Sequence, residues 1–301
     1  MPPLLSLVAE GAGRLERAGL SPDDSARDVA VLARAVLAWD QAQWLARRHE
    51  LAPAEFAAAF HSLLARRVAR EPIAYILGER EFYGRPFLVS RDVLIPRPET
   101  ELVIDQALAC LSTGVRPASP TIVDVGTGSG CLAVTLALEC PAAHLVATDI
   151  SPAALEVARA NAARHGVAAR IEWRHAVLAG DLTAGADLIV ANPPYVAERD
   201  RASLAPDVRD YEPDAALFAG PDGLDVIRPL APAALHALRL GGALIMEIGA
   251  GQWPAVEDIL IQAGFQHVAV HADLAGIPRV VVGQATRMEG PTFRSAPTRP
   301  V

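Results

Sequence analysis

Lysine is absent from the chain: all 27 basic residues among its 301 are arginine. That absence excludes a Walker-type phosphate loop, a Schiff-base enzyme and a lysine general base together. Cysteine is scarce as well. Cys110, Cys131 and Cys140 are unevenly spaced with no C-x-x-C pair, which predicts reduced thiols and neither a disulfide framework nor a zinc site. No run of about 18 uncharged apolar residues occurs, so no membrane span is expected. The N-terminus has neither a basic start nor an apolar signal core, and a cytoplasmic protein is expected. A net charge of −8 argues against a protein held on nucleic acid mainly through phosphates. What the chain does have is apolar material, 51% of residues, enough for one large domain and a small one.

Residues 1–78 read as helices only, with apolar positions such as Val29, Leu32, Ala33, Val36 and Leu37 recurring at spacings of three and four. The spacing predicts helices over Leu4–Leu20, from Ser21 to Trp39, from Asp40, from Pro53 to Arg70, and a stub from Pro72. With no basic face and no catalytic cluster, this small bundle is expected to dock a substrate. Residues 79–96 change pattern. Glu81-Phe82-Tyr83-Gly84-Arg85-Pro86-Phe87 alternates around a glycine-containing turn and predicts a β-hairpin. In Ile95-Pro96-Arg97-Pro98-Glu99-Thr100-Glu101, two prolines hold Arg97 rigidly ahead of a helix running to Leu111.

From Thr121 strands and helices alternate, over residues 97–285. Strands are expected at Thr121–Val125, Leu145–Thr148, Arg170–Arg174, Asp187–Ala191, Ala243–Ile248, His267–Val270 and Arg279–Gly283. This is the pattern of an α/β fold with a mostly parallel, doubly wound sheet. Residues 286–301 lack periodicity and are expected to be disordered.

Two stretches carry the chemistry. Gly126-Thr127-Gly128-Ser129-Gly130 follows the first strand and opens a helix, so bare backbone meets a ligand at a helix N-terminus. A nicotinamide fingerprint needs glycine at position 131, where Cys131 stands. Asp149 closes the second strand, where a carboxylate accepts ribose hydroxyls. The second stretch is Asn192-Pro193-Pro194-Tyr195, at the end of the apolar run Asp187–Ala191. Asn192 offers a side-chain carbonyl, Pro193 a fixed backbone carbonyl and Tyr195 a flat ring, while Pro194 stiffens the turn. Two acceptors and a plate suit a planar group bearing an NH2. This tetrapeptide after a strand resembles the signature of S-adenosylmethionine-dependent methyltransferases acting on such nitrogens.

The hairpin, the proline-framed linker, the glycine loop and Asn-Pro-Pro-Tyr occur in one order. They are followed by Arg209-Asp210-Tyr211-Glu212-Pro213, Asp222-Gly223-Leu224-Asp225, Glu247-Ile248-Gly249 and Arg279-Val280-Val281. Over residues 1 to about 285 the chain resembles the PrmC/HemK family, protein-(glutamine-N5) methyltransferases of peptide chain release factors. The resemblance implies a Rossmann-like class I methyltransferase sheet with its last strand antiparallel. It also implies S-adenosyl-L-methionine as methyl donor, without a metal, and the Gln of the Gly-Gly-Gln loop of class 1 release factors as acceptor. Gly126 through Gly130, Asp149, Val177 and Asn192 are then the donor site. Asn192, Pro193 and Tyr195 carry the chemistry, with Pro194 and Arg97 binding substrate. Such methyltransferases often place an acidic residue after the third strand. Here Trp173-Arg174-His175-Ala176-Val177 has none, so adenine is expected against backbone groups and Val177, with His175 a surface residue. A monomer that touches neither nucleic acid nor membrane is expected, and the alternative is an adenine-N6 methyltransferase on DNA or RNA.

Overall fold

A computed structural model of the protein describes residues 2–112, 117–176 and 185–286. Val177 and the tail beyond 286 lie outside them. The chain divides into two units, Met1–Pro96 with Arg199–Leu217, and Arg97–Glu198 with Phe218–Val301.

In the first unit five helices, α1 (Leu4–Arg17), α2 (Pro22–Leu37), α3 (Gln41–Arg47), α4 (Phe56–Val68) and α5 (Ile73–Leu77), precede a hairpin. Their limits follow local chemistry. Ser21 caps α2 by accepting the Asp24 N–H at 3.1 Å, and Asp40 and Gln43 form a reciprocal capping box at α3. The ends expected at Trp39 and Arg70 fall two residues earlier, at Leu37 and Val68, and two further limits move by three. The first helix stops at Arg17, with Gly19 at φ 87°, three residues before Leu20. Pro53 stands ahead of α4, and its carbonyl accepts the Phe56 N–H at 3.1 Å. Leu4, Leu15, Leu32, Phe60 and Leu64 form the fully buried centre of this unit. Gly11 belongs there because a Cβ would stand 3.1 Å from the Phe60 ring.

The hairpin pairs β1 (Glu79–Phe82) with β2 (Arg85–Leu88). Its two-residue turn takes Tyr83 to φ 52° and Gly84 to φ 72°, the twist that suits a tight hairpin. Arg199–Leu217, with single-turn helices Pro206–Arg209 and Asp214–Leu217, belongs to the same unit. Buried Arg67 donates to Asp28 at 2.7 Å, the Arg70 guanidinium reaches Asp207 at 3.3 Å, and the Glu212 carboxylate accepts the Ile95 N–H at 3.1 Å. Asp207 and Glu212, which follow Asn-Pro-Pro-Tyr in sequence, are polar ties of the Arg199–Leu217 segment within this unit.

The second unit is a seven-stranded sheet. Its strands are β3 (Thr121–Val125), β4 (His144–Asp149), β5 (Ile171–His175), β6 (Ala186–Ala191), β7 (Leu238–Glu247), β8 (Gln266–Ala272) and β9 (Pro278–Gln284). They lie in the order β5-β4-β3-β6-β7-β9-β8. All neighbours are parallel except β9, which runs antiparallel to both β7 and β8. The last strand is thus antiparallel, as the family resemblance implies. Helices α6 (Glu101–Ser112), α7 (Cys131–Glu139), α8 (Pro152–Arg164), α9 (Ile227–Ala237) and α10 (Trp253–Ala263) accompany the sheet. Every residue of β6 is buried, the mark of a strand covered on both faces. β7 starts five residues earlier than expected, at Leu238 rather than Ala243, because Gly241-Gly242 continues the strand through an irregular register opposite Ala186 and Leu188.

Register places the site. Val125 pairs with Thr148 on one side and Ala191 on the other, and Ala191 pairs with Met246. The next residues on these strands, Gly126, Asp149, Asn192 and Glu247, therefore stand level along one edge. Chain order reverses between β3 and β6, and ligands of open α/β sheets bind at such a switch point.

Candidate active site

The glycine loop closes on itself before α7 begins. The Gly126 and Thr127 N–H groups both donate to the Thr148 carbonyl at 2.9 Å, and Gly130 N–H donates to Thr127 at 2.8 Å. Gly126, Gly128 and Gly130 take φ 73°, 54° and 80°, conformations that side chains resist. Gly130 is fixed for a second reason, since a Cβ there would stand 3.0 Å from that of Ala158 on α8. Ser129 is buried, and its carbonyl accepts from the Asn161 side chain at 2.8 Å. Asp149 holds the loop from β4. One carboxylate oxygen accepts the Gly128 N–H and the other the Ser151 N–H, both at 2.8 Å. His175 lies exposed at the end of β5, its ring 2.9 Å from the Ile150 carbonyl.

Beneath the loop lies Asp124, which is fully buried. Its Oδ2 accepts from the Thr127 hydroxyl at 2.6 Å and Ala133 N–H at 3.1 Å, while Oδ1 has no partner. Burial pushes this carboxyl up to about 7, against the hydrogen bonds from Thr127 and Ala133 and with the help of the Asp149 charge. Between about pH 4 and 7 the unfolded chain releases a proton that the folded protein keeps. The Asp124 contribution therefore disfavours folding as pH rises through that window, by about 4 kcal/mol at its end. Denaturant unfolding of the ligand-free protein at about pH 5 and about pH 8 is expected to show this decline, and Asp124→Asn to flatten it. An equal decline in the variant would acquit Asp124. Burial and the Asp124 charge also push Cys131 up to about 12, so that thiol is no nucleophile at neutral pH.

At the end of β6, Asn192 donates through Nδ2 to the Thr100 hydroxyl at 3.0 Å. Its Oδ1 is buried and has no hydrogen-bond partner. Buried carbonyl oxygens rarely go unpaired, so this one calls for a partner that the described residues do not supply. Pro193 is buried, Pro194 half-buried. The Tyr195 hydroxyl donates to Glu247 at 3.1 Å, and burial together with the Glu247 charge pushes the phenol's pKa up. Its backbone carbonyl accepts from Gln252 at 3.0 Å, and Gln252 in turn accepts the Gly249 N–H at 2.8 Å. A Cβ on Gly223 would stand 2.2 Å from the Tyr195 carbonyl, so only glycine allows this turn to seat. Arg97 is half-buried, and its positive charge bears on the same phenol.

The structure thus brings Asn192, Pro193 and Tyr195 to one edge with the glycine loop and Asp149. Thr100, Glu247, Gln252 and Gly223 are additions that sequence reasoning left without a role. Thr100, Gly223 and Glu247 sit inside motifs already singled out, so the signal existed as pattern but not as contact.

Residues 101–207 match the methyltransferase small domain, and residues 6–78 the PrmC N-terminal domain. A release factor glutamine methyltransferase from Cereibacter sphaeroides is 48% identical over 268 residues, 89% of this chain and 93% of that protein. The chain belongs to the release factor glutamine methyltransferase family. Another member, from Bordetella pertussis, is 45% identical and covers 84% of this chain and 92% of its own length. Outside the family, the crystal structure of the hMettl16 catalytic domain with a 3'UTR hairpin superposes at a TM-score of 0.57. It covers 75% of this chain and 83% of that one at 16% identity, which is a likeness of fold alone. No described helix is long and apolar enough to cross a membrane.

Proposed function

We propose that this protein transfers a methyl group from S-adenosyl-L-methionine to the side-chain amide nitrogen (N5) of the Gln in the Gly-Gly-Gln motif of class 1 release factors. The observation that carries the reading is the buried, unpartnered Oδ1 of Asn192 at the switch point of the sheet. That oxygen accepts one N–H of the acceptor amide, and the Pro193 backbone carbonyl accepts the other. An amide nitrogen is a poor nucleophile because its lone pair is spread into its carbonyl. Two acceptors aimed at its hydrogens fix it in line and stabilise positive charge as it grows there. Tyr195 stacks on the amide plane, and Arg97 steers the acceptor loop.

The residues present suit the donor. Gly126 and Gly128 offer bare backbone, and Asp149 keeps lone pairs beyond the two N–H groups it binds. The donor, when bound, supplies a methyl group on a positively charged sulfur. Transfer forms the N–CH3 bond as the S–CH3 bond breaks, and the nitrogen then sheds one proton to water. Thr127, Ser129 and Gly130 complete the loop. The helical bundle of the first unit, with its own core, docks the release factor.

Incubation with labelled donor and either intact release factor or oligonucleotides tests the proposal. Methylation of the protein is expected, with none of single-stranded or duplex DNA and only modest dependence on salt. Robust transfer to adenine, falling steeply with salt, would overturn it.

A further inference from the structure

Three segments meet beneath Asn192. Thr100 ends the single 3-10 turn Pro98–Thr100, Glu247 ends β7, and Asn192 and Tyr195 follow β6. The Thr100 hydroxyl donates to Glu247 Oε2 at 2.6 Å and accepts from Asn192 Nδ2 at 3.0 Å. Glu247 Oε1 accepts from Tyr195 at 3.1 Å. Thr100 and Glu247 are each only 1% exposed, so neither is available to a substrate.

The order of donation has a consequence. A threonine hydroxyl carries one hydrogen. Burial raises the pKa of Glu247, while the hydrogen bonds that it accepts from Thr100 and Tyr195 favour its ionised form. Once the Thr100 hydrogen is given to that carboxylate, only lone pairs face Asn192, and Asn192 must answer with its NH2. Its oxygen is then turned the other way, toward the place where it finds no protein partner. The two ends of a carboxamide differ little in shape, so packing alone does not choose between them. An inverted Asn192 would aim N–H groups at the N–H groups of the acceptor and repel them.

We infer that Thr100, held by Glu247, is a positioning residue that fixes the Asn192 amide with its oxygen toward the acceptor nitrogen. The inference rests on the proposed acceptor role of Asn192. Thr100→Val keeps the shape and removes the hydroxyl, while Thr100→Ser keeps the hydroxyl and removes a methyl group. A packing role makes serine the worse replacement, and a relay makes valine the worse.

With release factor as substrate and donor saturating, kcat is expected to fall about 30-fold in Thr100→Val and less than about fivefold in Thr100→Ser. Affinity for S-adenosylhomocysteine, read by calorimetry, should stay within about twofold in both. Because Thr100 acts through Asn192, adding Thr100→Val to Asn192→Ala should cost nothing further. Valine within about threefold of wild type, serine as damaging as valine, or additive losses in the double variant would each overturn the inference. A wild-type protein that leaves release factor unmethylated would instead refute the function itself.

Discussion

Asn192→Ala is expected to lower kcat by about 100- to 1,000-fold while the affinity for S-adenosylhomocysteine changes only a few fold. The asymmetry follows from where the side chain's two ends go. Nδ2 is committed to Thr100 inside the protein, and Oδ1 is committed to nothing. An acceptor aimed at hydrogens that become more acidic as the nitrogen is alkylated gains strength in the transition state. Removing one preorganised group of this kind from a buried site costs roughly 2.7–4 kcal/mol. Asn192→Asp tells positioning from simple polarity. It keeps an acceptor but sets an oxygen against the lone pairs of Thr100, so it should be nearly as poor as alanine. Single-turnover rates with saturating donor measure both. A rate for Asn192→Ala within about tenfold of wild type would remove this residue from the mechanism.

The sheet was legible because its strands are short apolar runs bounded by glycine, proline or charge. Asp187–Ala191 ends at two prolines, and the strand observed there ends at Ala191. The early start of β7 was hidden by Gly241-Gly242, which reads as a turn in sequence yet continues a strand. The α4 limit failed for a related reason. Proline fits a first helical turn equally well in principle, and nothing local to Pro53 shows that the chain waits until Phe56.

The site was legible in part. Asn192, Asp149 and the glycine loop announce themselves by standing where strands stop. Glu247 and Thr100 do not, because their importance is relational. Glu247 comes beside Asn192 only through the pairing of Met246 with Ala191, and Thr100 reaches both from a turn before α6. A hydrogen bond's direction is also invisible in sequence. That Thr100 donates to one neighbour and accepts from the other follows from a carboxylate lying 2.6 Å away. The membership of Arg199–Leu217 in the first unit is of the same kind, resting on Asp207 and Glu212 finding Arg70 and the Ile95 N–H far earlier in the chain.

Asp149→Ala is expected to fail in the opposite way from Asn192→Ala. Its carboxylate does two jobs at the end of β4. It pins the glycine loop through Gly128 and the start of α8 through Ser151, and its remaining lone pairs face the donor's ribose in the proposed complex. Alanine removes all of these acceptors at once, leaving the Gly128 N–H without its partner in the loop that must cradle the ligand. Lost charged hydrogen bonds of this kind are worth roughly 1.5–3 kcal/mol, so the dissociation constant for S-adenosylhomocysteine should rise about 100-fold. Asp149→Asn retains one oxygen, can keep only one of the two backbone bonds, and should lose about tenfold. At saturating donor, kcat on release factor should fall far less in either variant than in Asn192→Ala, because in the proposed complex Asp149 holds the donor and leaves the acceptor nitrogen alone. Calorimetry separates the outcomes. If Asp149→Ala binds S-adenosylhomocysteine as tightly as wild type, the donor is not held at the end of β4, and the glycine loop loses its assigned ligand with it.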